Sequence, residues 1–389
     1  EKSLAKEFEQ IEDIRDYNQE KVLNAFVENK VAPEHFYTVS GYGHDDLGRE
    51  VLDKVFAQVF GAEKALVRIH FASGTHTLAC ALFGNLKYGD KLISVAGAPY
   101  DTMQEVIGTA GDEETKRSSL IGNGVLYDEV PLINGMDIDF EKLEEMVDET
   151  TTMVLIQRSK GYSTRKSLSM ETIEKICKVV KSKNPNCICL VDNCYGEFAD
   201  TKEPLEVGAD LMAGSLIKNP GGGIVEAGGY IAGKELLVER AATRLTAPGI
   251  GSEGGAMFNQ HRLMFQGFFM APSVVADAVK GAILASKIFD EIGYDSSPKY
   301  NEKRTDIIQN ITFGAPEPLE KFCRTIQSLS PINGYVTPIP EYIPGYEDQV
   351  IMAGGTFIEG STIELSADGP MRSPYVAYMQ GGLNYSHVK

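Results

Sequence analysis

From about residue 61 to 235 the chain alternates short apolar runs with helix-length segments, and this alternation constrains the fold more than any other feature. The apolar runs at 65–69, 91–95, 153–157, 187–192, 211–217 and 229–232 read as strands, and helical patterns such as Met170–Lys183 fall between several of them. Strands separated by helical patterns are the signature of a mostly parallel sheet with helices on its faces, an α/β fold. Residues 1–60 read as an amphipathic helical arm interrupted by Ser40-Gly41-Tyr42-Gly43-His44. A long helical pattern at 273–292 leads away from the sheet. The remainder carries strand-like runs at 349–357 and 362–366 and reads as a smaller α+β domain. The expected organisation is an arm over 1–60, a large domain over 61–272 and a small domain over 273–389 that includes the linking helix.

Composition narrows the partners. At 389 residues the chain is long enough for two unequal domains. Its 37 Lys and Arg against 55 Asp and Glu give a net charge of −18, which disfavours nucleic acid and anionic membrane surfaces. An anionic ligand would therefore need a local site of backbone N–H groups and a few side chains. No stretch reads as a membrane span, and Glu1 to Gln10 are charged with no apolar signal core. Four of the six cysteines lie between Cys177 and Cys194. Cys187-Ile188-Cys189 sits inside an apolar strand-like run, which suits neither a zinc site nor a disulfide. Buried reduced thiols and a cytoplasmic location are the expectation, with no metal site.

In an open α/β sheet ligands bind beyond the carboxyl ends of the strands, so the residues at those ends matter most. Lys218 follows the run Ala213-Gly214-Ser215-Leu216-Ile217 and precedes Asn219-Pro220-Gly221-Gly222-Gly223. A desolvated amine there would have a lowered pKa and attack an aldehyde; a surface lysine is the plain alternative, for Lys218 and for nearby rivals such as Lys160 and Lys166. Asp192 ends the run 187–192 and could pair with a protonated pyridine nitrogen, or simply cap the next turn. Ser73-Gly74-Thr75-His76 follows the first strand and opens a helix, where free N–H groups and hydroxyls suit a phosphate, though an ordinary N-cap looks the same. No Gly-Lys-Ser or Gly-Lys-Thr follows, so it is not a P-loop. Tyr100 could stack on a ring or be a turn tyrosine. In order, and all at strand ends, these residues favour the functional readings.

The order of helix-start phosphate site, aromatic, strand-end Asp and Lys resembles the fold-type I pyridoxal-phosphate enzymes. More closely, 71–78, 191–198, 215–224 and 380–385 resemble the aluminium-resistance protein family, which is grouped with methionine gamma-lyase and the cystathionine enzymes. The resemblance covers nearly the whole chain. It implies a seven-stranded-type sheet and pyridoxal 5'-phosphate held by Lys218 as a Schiff base, with Lys218 also moving protons. It further implies Asp192 on the pyridine nitrogen, Tyr100 on the ring, and Ser73, Gly74, Thr75 and Ser215 on the phosphate. Arg372 is the nearest candidate for the arginine that holds a substrate carboxylate in related lyases; a solvated surface role is the alternative. Tyr42 and Arg49 stand where related lyases reach a neighbouring subunit's phosphate, which implies a homodimer or homotetramer.

Two departures bear on specificity. The spacing of Tyr42 and Arg49 differs from the related Tyr-x-Arg pair. Where related lyases have Pro-x-Asn-Pro, this chain has Gln157-Arg158-Ser159-Lys160-Gly161-Tyr162. The expected activity is a carbon–sulfur lyase, or a related β/γ-elimination or replacement, on a small sulfur-containing amino acid. The rivals are an aminotransferase of the same fold and a protein that binds the cofactor or a metal without turnover.

Overall fold

The computed structural model describes residues 1–343, 346 and 348–389. Seven strands form the larger sheet: β1 (Lys64–Arg68), β2 (Lys91–Ser94), β3 (Leu126–Glu129), β4 (Thr151–Gln157), β5 (Ile188–Asp192), β6 (Leu211–Ser215) and β7 (Gly229–Gly233). Their order is β1-β7-β6-β5-β4-β2-β3. Only β7 runs antiparallel to its neighbours, so the carboxyl ends of the other six meet at one edge. All six expected strands are present. The strand missed is β3, an edge strand with its outer residues exposed and therefore without an apolar run to betray it.

The second sheet is where sequence patterning failed. It comprises β8 (Asp295–Ser297), β9 (Gln309–Thr312), β10 (Val350–Ala353), β11 (Ser366–Pro370) and β12 (Val376–Gln380), in the antiparallel order β8-β9-β12-β11-β10. Of the run expected at 349–357 only Val350–Ala353 is strand, and the run expected at 362–366 is replaced by Ser-Ala-Asp-Gly-Pro at 366–370. Those five residues have poor strand propensity; pairing on both sides, with β10 and β12, makes the strand. The segment expected as a strand does other work: the Ile363 N–H donates to the Ile217 carbonyl and ties the second sheet to the approach to Lys218.

The linking helix is His261–Glu291 and contains Pro272, so it begins well before the expected start at 273. It is long and apolar enough to cross a membrane, which corrects the expectation of no such stretch. Most of its apolar length is packed inside the protein. Phe268 stacks on Phe56 at 3.7 Å between ring centroids, and the N-terminal helix Ala5–Glu28 lies along it. All six cysteines are buried and unpaired, as expected.

Candidate active site

The shared edge of β1, β2, β4, β5 and β6 delivers the expected residues to one cavity of about 430 Å³. Ser73, Gly74, Thr75, Tyr100, Asp192, Ser215 and Lys218 all line it. Its far wall comes from the second sheet and its approaches, through Ser361, Asp368 and Tyr378. The site is therefore closed by the part of the chain that was least legible.

The cradle beside β1 combines two roles. Ser73 caps the helix Gly74–Asn85, its Oγ accepting the His76 N–H at 3.1 Å. The cap is real, and it leaves first-turn amides facing the cavity. Ser215 Oγ is buried without a hydrogen-bond partner among the described residues, and such a group calls for one. A Cβ at Gly74 would stand 3.3 Å from Ser215 Cβ, a tight contact that glycine avoids. Thr75 Oγ1 lies 3.0 Å from Tyr100 Oη. Amides, hydroxyls and a helix N-terminus of this kind fit a phosphate monoester.

Asp192 is buried, and its Oδ1 accepts the Cys194 N–H at 3.1 Å. Burial raises its pKa, while that hydrogen bond and the Lys218 charge pull the other way. A buried carboxylate of this kind fits the protonated nitrogen of a pyridine ring.

Lys218 Nζ donates to the Ser361 carbonyl at 3.0 Å and sits 3.6 Å above the Tyr195 ring. Burial alone would lower its pKa. The acidic groups around it, Tyr195, Cys194 and Asp192, more than offset that, and the amine lies above the ordinary lysine range. This corrects the expectation of a lowered pKa: the amine is held as a cation. Tyr100 is pushed well above the usual phenol range, by burial first and then by Asp192. It therefore stays a neutral phenol near neutral pH.

Three expected residues lie elsewhere. Arg372 is half-exposed, paired with Asp348 at 3.0 Å, and outside the lining of the Lys218 cavity. Arg49 is buried within its own chain, where Nη1 donates to the Gly43 and Gly255 carbonyls and Nη2 to Glu253. It pins its own loop and does not project outward, which corrects the expectation that it reaches a neighbour. A Cβ at Gly43 would meet the Gly255 backbone at 2.6 Å, so glycine is required where these two loops touch. Tyr42, on the same loop, is exposed.

Sequence reasoning missed Tyr195, Tyr162 and Asp368. Tyr195 has φ +71, a conformation that bulky residues seldom adopt; the run after Asp192 was quoted, but nothing in it announced a ring under Lys218. Asp368 faces the cavity from β11, its carboxyl raised to about 6, chiefly by burial. Its signal was hidden in a strand that has no apolar pattern.

A family model described as methionine gamma-lyase matches residues 1–389. The uncharacterized protein YnbB of Bacillus subtilis (strain 168) is 49% identical over 380 residues, covering 98% of this chain and 90% of that protein. A crystal structure described as a carbon–sulfur lyase involved in aluminum resistance, from Clostridium novyi NT, is 49% identical with a TM-score of 0.95, covering 100% of this chain and 91% of that one. The fold alone is shared with the pyridoxal-5'-phosphate dependent protein YhfS of Escherichia coli, at 15% identity and a TM-score of 0.62 over 97% of this chain and 94% of that one.

Proposed function

The chain belongs to the methionine gamma-lyase family, and from that premise we propose that it is a pyridoxal-phosphate-dependent carbon–sulfur lyase acting on a small sulfur-containing amino acid. The observation that carries the proposal is the convergence of Lys218, Asp192 and the Ser73–Thr75/Ser215 cradle on one cavity. When bound, pyridoxal phosphate supplies an aldehyde and an electron-accepting ring. Ser73, Gly74, Thr75 and Ser215 hold its phosphate. Asp192 would keep the proton on the ring nitrogen, and Tyr100 would offer its ring to stack on the cofactor. Lys218 would make the covalent link to the aldehyde, and its amine would move the proton at the substrate Cα. Tyr100, neutral at physiological pH, donates a proton toward the departing sulfur group.

Lys218 is the only basic side chain among the described residues lining the cavity. A phosphate dianion there would draw part of its counter-charge from elsewhere, which supports an active unit larger than one chain. With Arg49 turned inward, exposed Tyr42 is the remaining member of the expected pair that could reach a neighbour's phosphate, as a hydrogen-bond donor and not as a charge.

The test is chemical. Borohydride added to the purified yellow protein should fix the cofactor on Lys218, as peptide mapping would show. With unreduced protein, a panel of sulfur amino acids should release ammonia and a keto acid without a keto-acid acceptor. An obligatory acceptor would move the assignment to an aminotransferase, and no release from any amino acid would leave a binding protein.

A further inference from the structure

One wall of the Lys218 cavity has no part in the reaction above. It is built by Asp368 and Tyr378 of the second sheet together with Tyr162. Asp368 and Tyr378 are direct cross-strand partners on β11 and β12, so their side chains leave the same face of the sheet. The Tyr162 ring packs 5.0 Å from the Tyr378 ring and 5.4 Å from the Tyr346 ring, between centroids. Tyr162 also ends the segment 157–162, which stands where related lyases have Pro-x-Asn-Pro.

This wall is open to the cavity. Asp368 and Tyr162 both keep accessible surface, and both line it. Among the described residues, the Tyr162 hydroxyl is the side-chain group that hydrogen-bonds the Asp368 carboxyl, and Lys218 is the cation that acts on it. The cofactor would engage that cation. The rest of the lining supplies no substitute, since it carries four carboxyl side chains, Asp101, Asp192, Glu359 and Asp368, against Lys218 alone among the described residues. Arg372 lies outside the lining and pairs with Asp348 at 3.0 Å. A bound phosphate would add negative charge.

The four carboxyls are not equivalent. Asp192 would be taken by the ring nitrogen, Asp101 lies in the first turn of the helix Asp101–Ile107, and Glu359 is exposed. Asp368 is the one set among aromatic rings. Its carboxyl, raised to about 6, is mostly ionised near neutral pH. Tyr162 and Tyr378 stay neutral there, because burial pushes both phenols above their usual range. A carboxylate beside neutral aromatic rings attracts a cation twice, through its charge and through the electron-rich rings.

We propose that Asp368, with Tyr162 and Tyr378, selects amino acids whose side chain ends in an ammonium group. The inference rests on the lyase reading in placing that ammonium beyond the sulfur of a substrate.

The experiment compares two isosteric pairs on the cofactor-loaded protein, each pair differing only in a terminal ammonium against a methyl. L-Lysine and L-2-aminoheptanoate carry no sulfur to lose and are compared by calorimetric titration. S-(2-aminoethyl)-L-cysteine and S-propyl-L-cysteine are compared by keto-acid release. The cationic member should be favoured about tenfold to a hundredfold, in Kd for the first pair and in kcat/KM for the second. Asp368→Asn, which keeps polar atoms for the Tyr162 hydroxyl, should bring both ratios to within about threefold of one. Lysine that fails to bind the unaltered protein, or binds no tighter than L-2-aminoheptanoate, overturns the proposal without any variant having to fold. So does an Asp368→Asn protein that weakens both amino acids alike and keeps their ratio, because that carboxyl would only position Tyr162. The two readings fail separately. A lysine preference with no keto acid from any sulfur amino acid supports the subsite and sinks the lyase reading. Turnover of S-propyl-L-cysteine with no lysine preference keeps the lyase reading and overturns the subsite.

Discussion

Two buried, charged regions begin one residue apart on the same strands. Gln157 and Asp192 end β4 and β5 and face the Lys218 cavity. The next residues, Arg158 and Asn193, turn away into a buried polar network. Arg158 Nη1 donates to Asn193 Oδ1 at 2.7 Å, and Asn193 Nδ2 donates to Glu203 Oε2 at 2.9 Å. Tyr230 Oη donates to Glu197 Oε1 at 2.8 Å. Arg158 also lies 3.6 Å from Glu203, with both side chains almost wholly buried. None of these network residues lines the cavity. Buried charge and shifted pKa values occur on both sides, so they do not distinguish chemistry from scaffolding here. Access to a cavity does.

The sharpest way to break this comparison is to remove one cation from each side. Lys218→Ala should abolish the borohydride-fixed adduct and lower turnover by roughly three orders of magnitude or more, with little change in melting temperature. Arg158→Met should do the opposite. Removing one partner of a buried ion pair costs about 3–5 kcal/mol, because Glu203 and Asn193 lose a partner with no water to replace it. The folded fraction should still carry the adduct on Lys218. Denaturant unfolding together with adduct mapping on both variants would read this, and an Arg158→Met protein that is stable but inactive would erase the distinction.

A second pair of changes separates the regions by what a carboxyl group does. Asp192→Ala should lower turnover roughly tenfold to a hundredfold, more than it lowers cofactor affinity, because the ring keeps its phosphate contacts and loses a charge-assisted partner. Cofactor titration and steady-state rates check this; unchanged turnover in a folded variant would return Asp192 to a turn cap. Glu197 acts through stability instead. Its pKa is raised to about 8, first by burial and further by the Glu203 charge. A raised carboxyl favours the proton in the folded state. Its stabilisation is complete below the unfolded value of 4.5 and is lost as pH rises through about 8. Glu197→Gln mimics the protonated form and should gain on the parent over that window, on the order of a few kcal/mol by pH 8.5. Parallel melting profiles from pH 5 to 8.5 would show that Glu197 does not carry the proton.

Legibility followed the same divide as the two sheets. The large sheet could be read because parallel strands buried on both faces leave continuous apolar runs, and because its chemistry sits where those runs stop. The cradle, Tyr100, Asp192 and Lys218 were nominated that way, and they line one cavity. The second sheet could not be read. Ser366–Pro370 is a strand through its pairing partners, and Asp368 reaches the cavity from it without a local signal. Arg49 illustrates the converse error. Its place after Tyr42 suggested an intersubunit contact despite a different spacing, yet three backbone carbonyls of its own chain occupy its guanidinium. The direction of a long side chain is set by the acceptors around it, and spacing carries no record of them.

Arg372 carries the smallest expected effect and tests the outer limit of the site. The resemblance to related lyases nominates it as the clamp for a substrate carboxylate. In the structure its side chain is 51% exposed, pairs with Asp348 at 3.0 Å, and donates from Nη2 to the Tyr162 carbonyl at 3.4 Å. An exposed ion pair of this kind contributes about 0–1 kcal/mol. Arg372→Ala should therefore shift stability by no more than about that amount and leave kcat/KM for the amino-acid substrate within roughly threefold of the parent. A KM raised more than about tenfold with kcat retained would instead mark an interaction made equally in ground and transition states. Arg372 would then have to swing from Asp348 toward the Lys218 cavity when substrate binds. The second sheet would be a moving wall, and the contrast between a readable, reactive sheet and a passive partner would fail at this residue.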